Sequence, residues 1–130
     1  MTGNSILLDT NIISALLAGD AVIANNIDLA VKVFIPVTVI GELYYGAQYS
    51  VQVQKNINNI DKLINSYEVL KTDNNTAKTY GTIKASLRRK GKPIPENDIW
   101  IAAIAKQYDL TLITRDKHFS EIDELNIIAW

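Results

Sequence analysis

Five short, largely apolar runs recur along the chain, and stretches with helical spacing separate the first four from one another. The runs are Ser5 to Asp9, Val33 to Pro36, Tyr67 to Lys71, Thr111 to Thr114 and Asn126 to Ala129. Most are continuously apolar rather than alternating, which marks strands buried on both faces. The intervening stretches predict helices over Asn11 to Leu17, about Asp20 to Ala30, Thr38 to Gln48, Val51 to Asn65, Thr76 to Lys90 and Asp98 to Tyr108. Val39, Ile40, Leu43, Tyr44 and Ala47 share one face of the third, and Ile57, Ile60, Leu63 and Ile64 recur at helical spacing in the fourth. Asp98 to Tyr108 is apolar nearly all round and predicts a buried helix. Gly19 and the run Gly91-Lys92-Pro93 are stop signals. Such alternation predicts a mainly parallel sheet between two helical layers, a three-layer α/β/α sandwich.

The length of 130 residues suits one domain spanning 1–130, with enough chain for a real core. Apolar residues make up 48% and charged residues 21%, the balance of an ordinary globular protein. Cysteine is absent, which excludes disulfides and thiolate zinc sites. No apolar run approaches the roughly 18 residues that span a bilayer. No basic stretch precedes Ile6, so the expected setting is the cytoplasm, without a membrane. A net charge of −1 gives no global attraction to nucleic acid, so any such binding must use a local patch.

In parallel sheets of this kind, function gathers beyond the C-terminal strand ends. Asp9 ends the first apolar run, and Asp116 follows the run that closes at Thr114. Asp98 opens the buried helix. Each has an ordinary structural reading. Asp9 can cap the following helix. Asp98 suits a helix N-terminus, with Asn97 as the cap. Asp116 can be a turn residue. Glu42 lies off the face marked by Val39, Leu43 and Ala47, which predicts exposure. Jointly the acids mean more. Carboxylates about 6 Å apart repel by about 3 kcal/mol per pair at an effective dielectric of 20. A close cluster must therefore bind cations, take up protons, or both. An all-oxygen ligand set favours Mg²⁺ or Mn²⁺ over zinc.

Four blocks carry a family resemblance: LLDTNIISALL at 7–17, VIGELYYGA at 39–47, IPENDIWIAAIA at 94–105 and LITRD at 112–116. Their order and spacing resemble the PIN domain, and within it the VapC-type toxins of bacterial toxin–antitoxin pairs. The resemblance covers essentially the whole chain. It implies a metal-dependent endoribonuclease. It implies that Asp9, Glu42, Asp98 and Asp116 form the catalytic and metal-binding set, with Asn11 and Thr114 in support. Glu42 enters through this resemblance alone. The same resemblance implies a small antitoxin partner, whose basic side chain would stand in for the metal's charge, and self-dimerisation through the helices between Thr38 and Asn65. An RNA-processing PIN nuclease and a non-cleaving PIN-like module are the alternatives.

Other positions invite weaker readings. Lys84, Arg88, Arg89, Lys90 and Lys92 form a basic run just ahead of Asp98. Arg88, Arg89 and Lys90 are candidate phosphate contacts, against a solvated helix end that suits the dipole. Arg115 is a further candidate, against an ion pair that steadies the acids. Gly41 and Gly46 suggest close backbone approach near Glu42, against a merely weak helix. Tyr44, Tyr45 and Tyr49 can stack on bases, although Tyr44 reads better as core or interface. His118, the chain's single histidine, reads as solvated. A haloacid-dehalogenase-type phosphatase needs an Asp where Asn11 stands. A receiver-type signalling domain needs a phospho-acceptor Asp in the Tyr67 to Lys71 strand, which has none.

Overall fold

The computed structural model describes residues 5–130. In chain order the elements are β1 (Ser5–Leu8), α1 (Thr10–Leu17), α2 (Ala21–Leu29), β2 (Lys32–Pro36), α3 (Val37–Gln48), α4 (Val53–Ser66), β3 (Glu68–Leu70), α5 (Asn74–Lys90), α6 (Glu96–Gln107), β4 (Thr111–Ile113), a 3-10 helix (Lys117–Glu121) and β5 (Ile127–Ile128). The strands form one parallel sheet in the order β3-β2-β1-β4-β5. β1 is central. The chain builds outward from it through β2 and β3, then returns to β1's other side with β4 and β5. The reversal opens a crevice between β1 and β4, beyond their C-terminal ends, where open α/β sheets place ligands.

Leu7 and Leu8 point to opposite faces of the central strand, and both are fully buried. The sheet is thus covered on both sides, which explains why its strands read as unbroken apolar runs. Ile35, Leu112 and Ile113 extend the same core on the neighbouring strands. α6 buries Ile99 and every residue from Ile101 to Ala105, as its apolar sequence predicts.

Helix ends follow local chemistry. Asp9 caps α1 through a bond from the Thr10 amide. Asp20 caps α2 by accepting from Val22 and Ile23. α5 starts with a capping box between Asp73 and Thr76 and ends at Gly91, whose φ of 67° is the left-handed closure that glycine adopts without strain. The α6 cap differs from the sequence expectation. Pro95, not Asn97, occupies that position, with no side-chain cap bond, so Asn97 and Asp98 lie inside the first turn.

The glycine expectation is also corrected. A Cβ placed at Gly41 or Gly46 would meet nothing within 4 Å, so neither residue is demanded by a close approach. They simply weaken α3, by about 1 kcal/mol each relative to alanine.

Periodicity missed the 3-10 helix because it is only five residues long. It is nevertheless well anchored, since Phe119 is completely buried. Truncating Phe119 to alanine should cost about 3–5 kcal/mol, a core-cavity penalty measurable by urea unfolding.

Candidate active site

Asp9 stands at the crevice. Its side chain leaves the end of β1 and is only 4% exposed, an expensive place for a carboxylate. Hydrogen bonds offset part of that cost. The Thr10 amide donates to Oδ1 at 2.7 Å, and the Thr114 hydroxyl donates to Oδ2 at 2.7 Å. Asn11 Nδ2 adds a longer bond to Oδ2 at 3.3 Å. The Thr114 hydroxyl also accepts from the Asp116 amide at 3.0 Å and from Asn11 Nδ2 at 3.4 Å. Asn11 Oδ1 in turn accepts from the Arg115 amide at 3.2 Å. Asn11 and Thr114 thus stitch the end of β1 to the end of β4 and fix the spacing of Asp9 and Asp116. Asp116 itself accepts from the His118 amide at 3.0 Å and caps the 3-10 helix.

The remaining acids arrive from helices. Asp98 projects from the first turn of α6, and its side chain is 14% exposed. Burial pushes its pKa from 3.8 up to about 6, with further upward pressure from Asp9, Asp116 and Glu42. Burial likewise raises Asp9, and Asp116 adds to the shift. Glu42 is raised by burial and by Asp9. All four acids therefore lie in one electrostatic neighbourhood.

The outward reading of Glu42 is corrected. The strip of Val39, Leu43 and Ala47 faces the core, but α3 also packs against α1, and Glu42 enters that second contact. The Thr10 hydroxyl lies beside it and lowers its pKa somewhat. The approach has the sense of a hydrogen bond to the carboxylate, yet it falls short of hydrogen-bond geometry, and Thr10 Oγ1 and Glu42 Oε1 are both buried without a partner. A cleft of ≈ 410 Å³ between α1, α3 and α4 opens next to Glu42, lined in part by Ser14, Asn56 and Asn59.

The buried carboxylate oxygen of Glu42 without a hydrogen-bond partner, within a set of neighbouring acids, is a group that a bound divalent cation would satisfy. The donors fit a hard divalent ion. Asp98, Asp116 and His118 offer ligand atoms within 4.8 Å of one another.

His118 is exposed, as expected from the sequence, but it also stands beside two of the acids. Its Nδ1 lies 2.9 Å from Asp116 Oδ1 and 3.5 Å from Asp98 Oδ2. The available signal was its spacing two residues after Asp116.

Arg115 does not form the ion pair with the clustered acids that its position suggests. Its Nε donates to the Trp130 carbonyl at 2.7 Å, and its guanidinium pairs with Asp20 at 3.3 Å, so it braces α2 and leaves the acids alone. The basic run is divided. Lys90 pairs with Asp123 and donates to the Glu121 carbonyl, while Lys84 pairs with Glu96. Arg88 borders a groove with Ile94 and Ile99, and Arg89 borders another beside Asp123. Among the described residues, no hydrogen bond or ion pair joins Arg88, Arg89 or Lys90 to the four acids. Tyr44 is half-buried and donates to Asp61, whereas Tyr45 and Tyr49 are exposed and pack on each other.

A parallel α/β/α sandwich with carboxylates gathered at its switch point belongs to a recognisable class of fold, and sequence comparison names it. Residues 6–125 match the PIN domain, and the chain belongs to that family. This membership sets aside the phosphatase and receiver readings. The chain is 32% identical to "Ribonuclease VapC2" of Haemophilus influenzae over 127 residues, covering 95% of this chain and 96% of that protein. It is 34% identical over 90 residues to the "tRNA(fMet)-specific endonuclease VapC" of Salmonella typhimurium, covering 68% of each. Among solved structures it is similar to VapBC2 from Rickettsia felis bound to a promoter DNA fragment, with a TM-score of 0.92, 27% identity and coverage of 97% of this chain and 98% of that one.

The raised Asp98 pKa sets a pH signature. A carboxyl that binds its proton more tightly when folded contributes stability below its ordinary pKa, and this stability fades as pH rises through the folded value. Without divalent cations, the wild type should therefore gain stability relative to Asp98→Asn as pH falls from 7 toward 4. Thermal melting of the two chelated proteins across that range measures the difference.

Proposed function

We propose that this chain is the toxin of a toxin–antitoxin pair, an endoribonuclease that hydrolyses RNA phosphodiester bonds with Mg²⁺ or Mn²⁺. The observation that carries the reading is the convergence of Asp9, Glu42, Asp98 and Asp116 on one crevice, where burial first and the neighbouring acids second raise Asp98. The relatives named as VapC ribonucleases, and the VapBC complexes of the same fold, support it.

In this reading the four acids hold the cation, and Asn11 and Thr114 set their spacing. A bound divalent cation supplies electrostatic stabilisation to a phosphate under attack and makes water more acidic at neutral pH. The protein's own groups do the rest. Asp9 is the rigid member, fixed by Thr10 and Thr114. Asp98, whose carboxyl is pushed up to about 6 chiefly by burial, is the acid assigned in this reading to accept a proton from the attacking water. Arg88 and Arg89 are the members of the basic run left to meet RNA phosphates, since Lys90 is committed to Asp123.

An open nuclease site also needs restraint, and the antitoxin supplies it in this reading. A basic side chain from that partner would neutralise the acids, and arginine can do so bidentately. Tyr45, Tyr49 and Val51 expose apolar surface around the α3–α4 turn, which suits self-association. Among the described residues no single helix is long and apolar enough to cross a membrane.

RNA cleavage should stop in EDTA and return with Mg²⁺ or Mn²⁺. Asp98→Asn should reduce it at least about 10–100-fold, the loss typical of far milder changes around metal ligands. Cleavage that persists in EDTA would reject the mechanism. Binding without cleavage under any metal would favour a non-cleaving PIN module, and harmless expression of the active chain alone would favour RNA processing.

Exchanging Arg88 and Arg89 together for glutamine tests the substrate path. Weaker RNA binding is expected, with the log–log salt slope reduced by about 0.7 for each lost phosphate contact. An unchanged slope would return both residues to an ordinary solvated helix end.

A further inference from the structure

His118 is held in place by its surroundings in a way that points to a ligand role. It is the second residue of the 3-10 helix that Asp116 caps, and the buried Phe119 anchors that helix from the other side. Its ring is 53% exposed, so burial does not force it against the acids. Even so, Nδ1 lies 2.9 Å from Asp116 Oδ1 and 3.5 Å from Asp98 Oδ2. Adjacent donors around one octahedral ion at about 2.1 Å are separated by about 3 Å. The two separations from Nδ1, 2.9 and 3.5 Å, are close to that spacing, and the donor atoms of all three residues lie within 4.8 Å of one another.

We propose that His118 Nδ1 is a nitrogen ligand to the divalent cation held by Asp98 and Asp116, and that this donor biases the site toward Mn²⁺ over Mg²⁺. The inference rests on the metal-dependent reading of the acidic site. Mg²⁺ prefers an all-oxygen octahedron and parts reluctantly with its water. An imidazole nitrogen adds most to the affinity of first-row transition ions. A carboxylate-only site has no such bias, so one side chain sets the ion preference. The competing arrangement is a protonated imidazole that spans the two acids and leaves when the ion enters.

The full chain loaded with Mn²⁺ separates the two by pulsed electron paramagnetic resonance. A ¹⁴N coupling of imidazole type is expected. It can come only from His118, because the sequence holds one histidine. His118→Gln should abolish that coupling while leaving the circular dichroism spectrum unchanged. Calorimetric titration with MnCl₂ and MgCl₂ should show Mn²⁺ favoured in the wild type, with the Mn²⁺ affinity of His118→Gln reduced about 10-fold or more and Mg²⁺ affinity moved far less. Mn²⁺ bound without nitrogen coupling, or an unchanged Mn²⁺-to-Mg²⁺ ratio in the variant, overturns the ligand role of His118 and leaves the nuclease reading intact. If the wild type binds no Mn²⁺, the metal reading falls and the proposal falls with it.

Discussion

The hydrogen bond from Thr114 to Asp9 ties a buried carboxylate at the end of β1 to the end of the neighbouring strand β4. β1 is the central strand, and its last side chain has no room to turn toward water. A carboxylate there is tolerable only when its oxygens are occupied. The Thr10 amide occupies one, and Thr114 with Asn11 occupies the other. Because Thr114 follows β4, the parallel pairing of β1 with β4 must bring these two strand ends level. The same hydroxyl accepts the Asp116 amide, so one atom links sheet register to the positions of two acids.

Glu42 and Asp98 reach the same place from α3 and α6, whose packing owes nothing to the crevice. α6 is fixed by its continuous apolar surface, and α3 by Val39, Leu43 and Ala47. Hydrophobic burial therefore supplies the energy that holds repelling carboxylates together. The strain shows in the raised proton affinities of Asp9, Glu42 and Asp98, and in the unsatisfied oxygen of Glu42. A bound divalent cation would relieve all of these at once, which is the physical basis for proposing a metal-binding nuclease.

The positive charges follow a different logic. Arg115 sits next to Asp116 in sequence, yet it faces Asp20 and the last carbonyl. Lys90 closes on Asp123, and Lys84 on Glu96. Among the described residues, these cations pair with Asp20, Asp123 and Glu96 and not with the four clustered acids. His118 is the exception, since it approaches Asp98 and Asp116 directly.

The sequence by itself determined the layers and the element order. Runs such as Ile6-Leu7-Leu8 can only be double-faced strands, and the periodicity of α4 and the caps at Asp9 and Gly91 mark their elements through local physics. It also placed Asp9 and Asp116 at strand ends, where function was to be expected. Tertiary structure decided what depends on contacts between distant segments. Glu42 looked exposed because periodicity describes one face of one helix, and the second face is buried by α1. Arg115 looked close to the acids because sequence distance ignores the direction of a side chain after a strand. The place of His118 beside Asp98 and Asp116 was not legible either, because a five-residue 3-10 helix leaves no periodic trace. Local spacing fixes backbone conformation, but the partners of a charge are fixed by packing between elements.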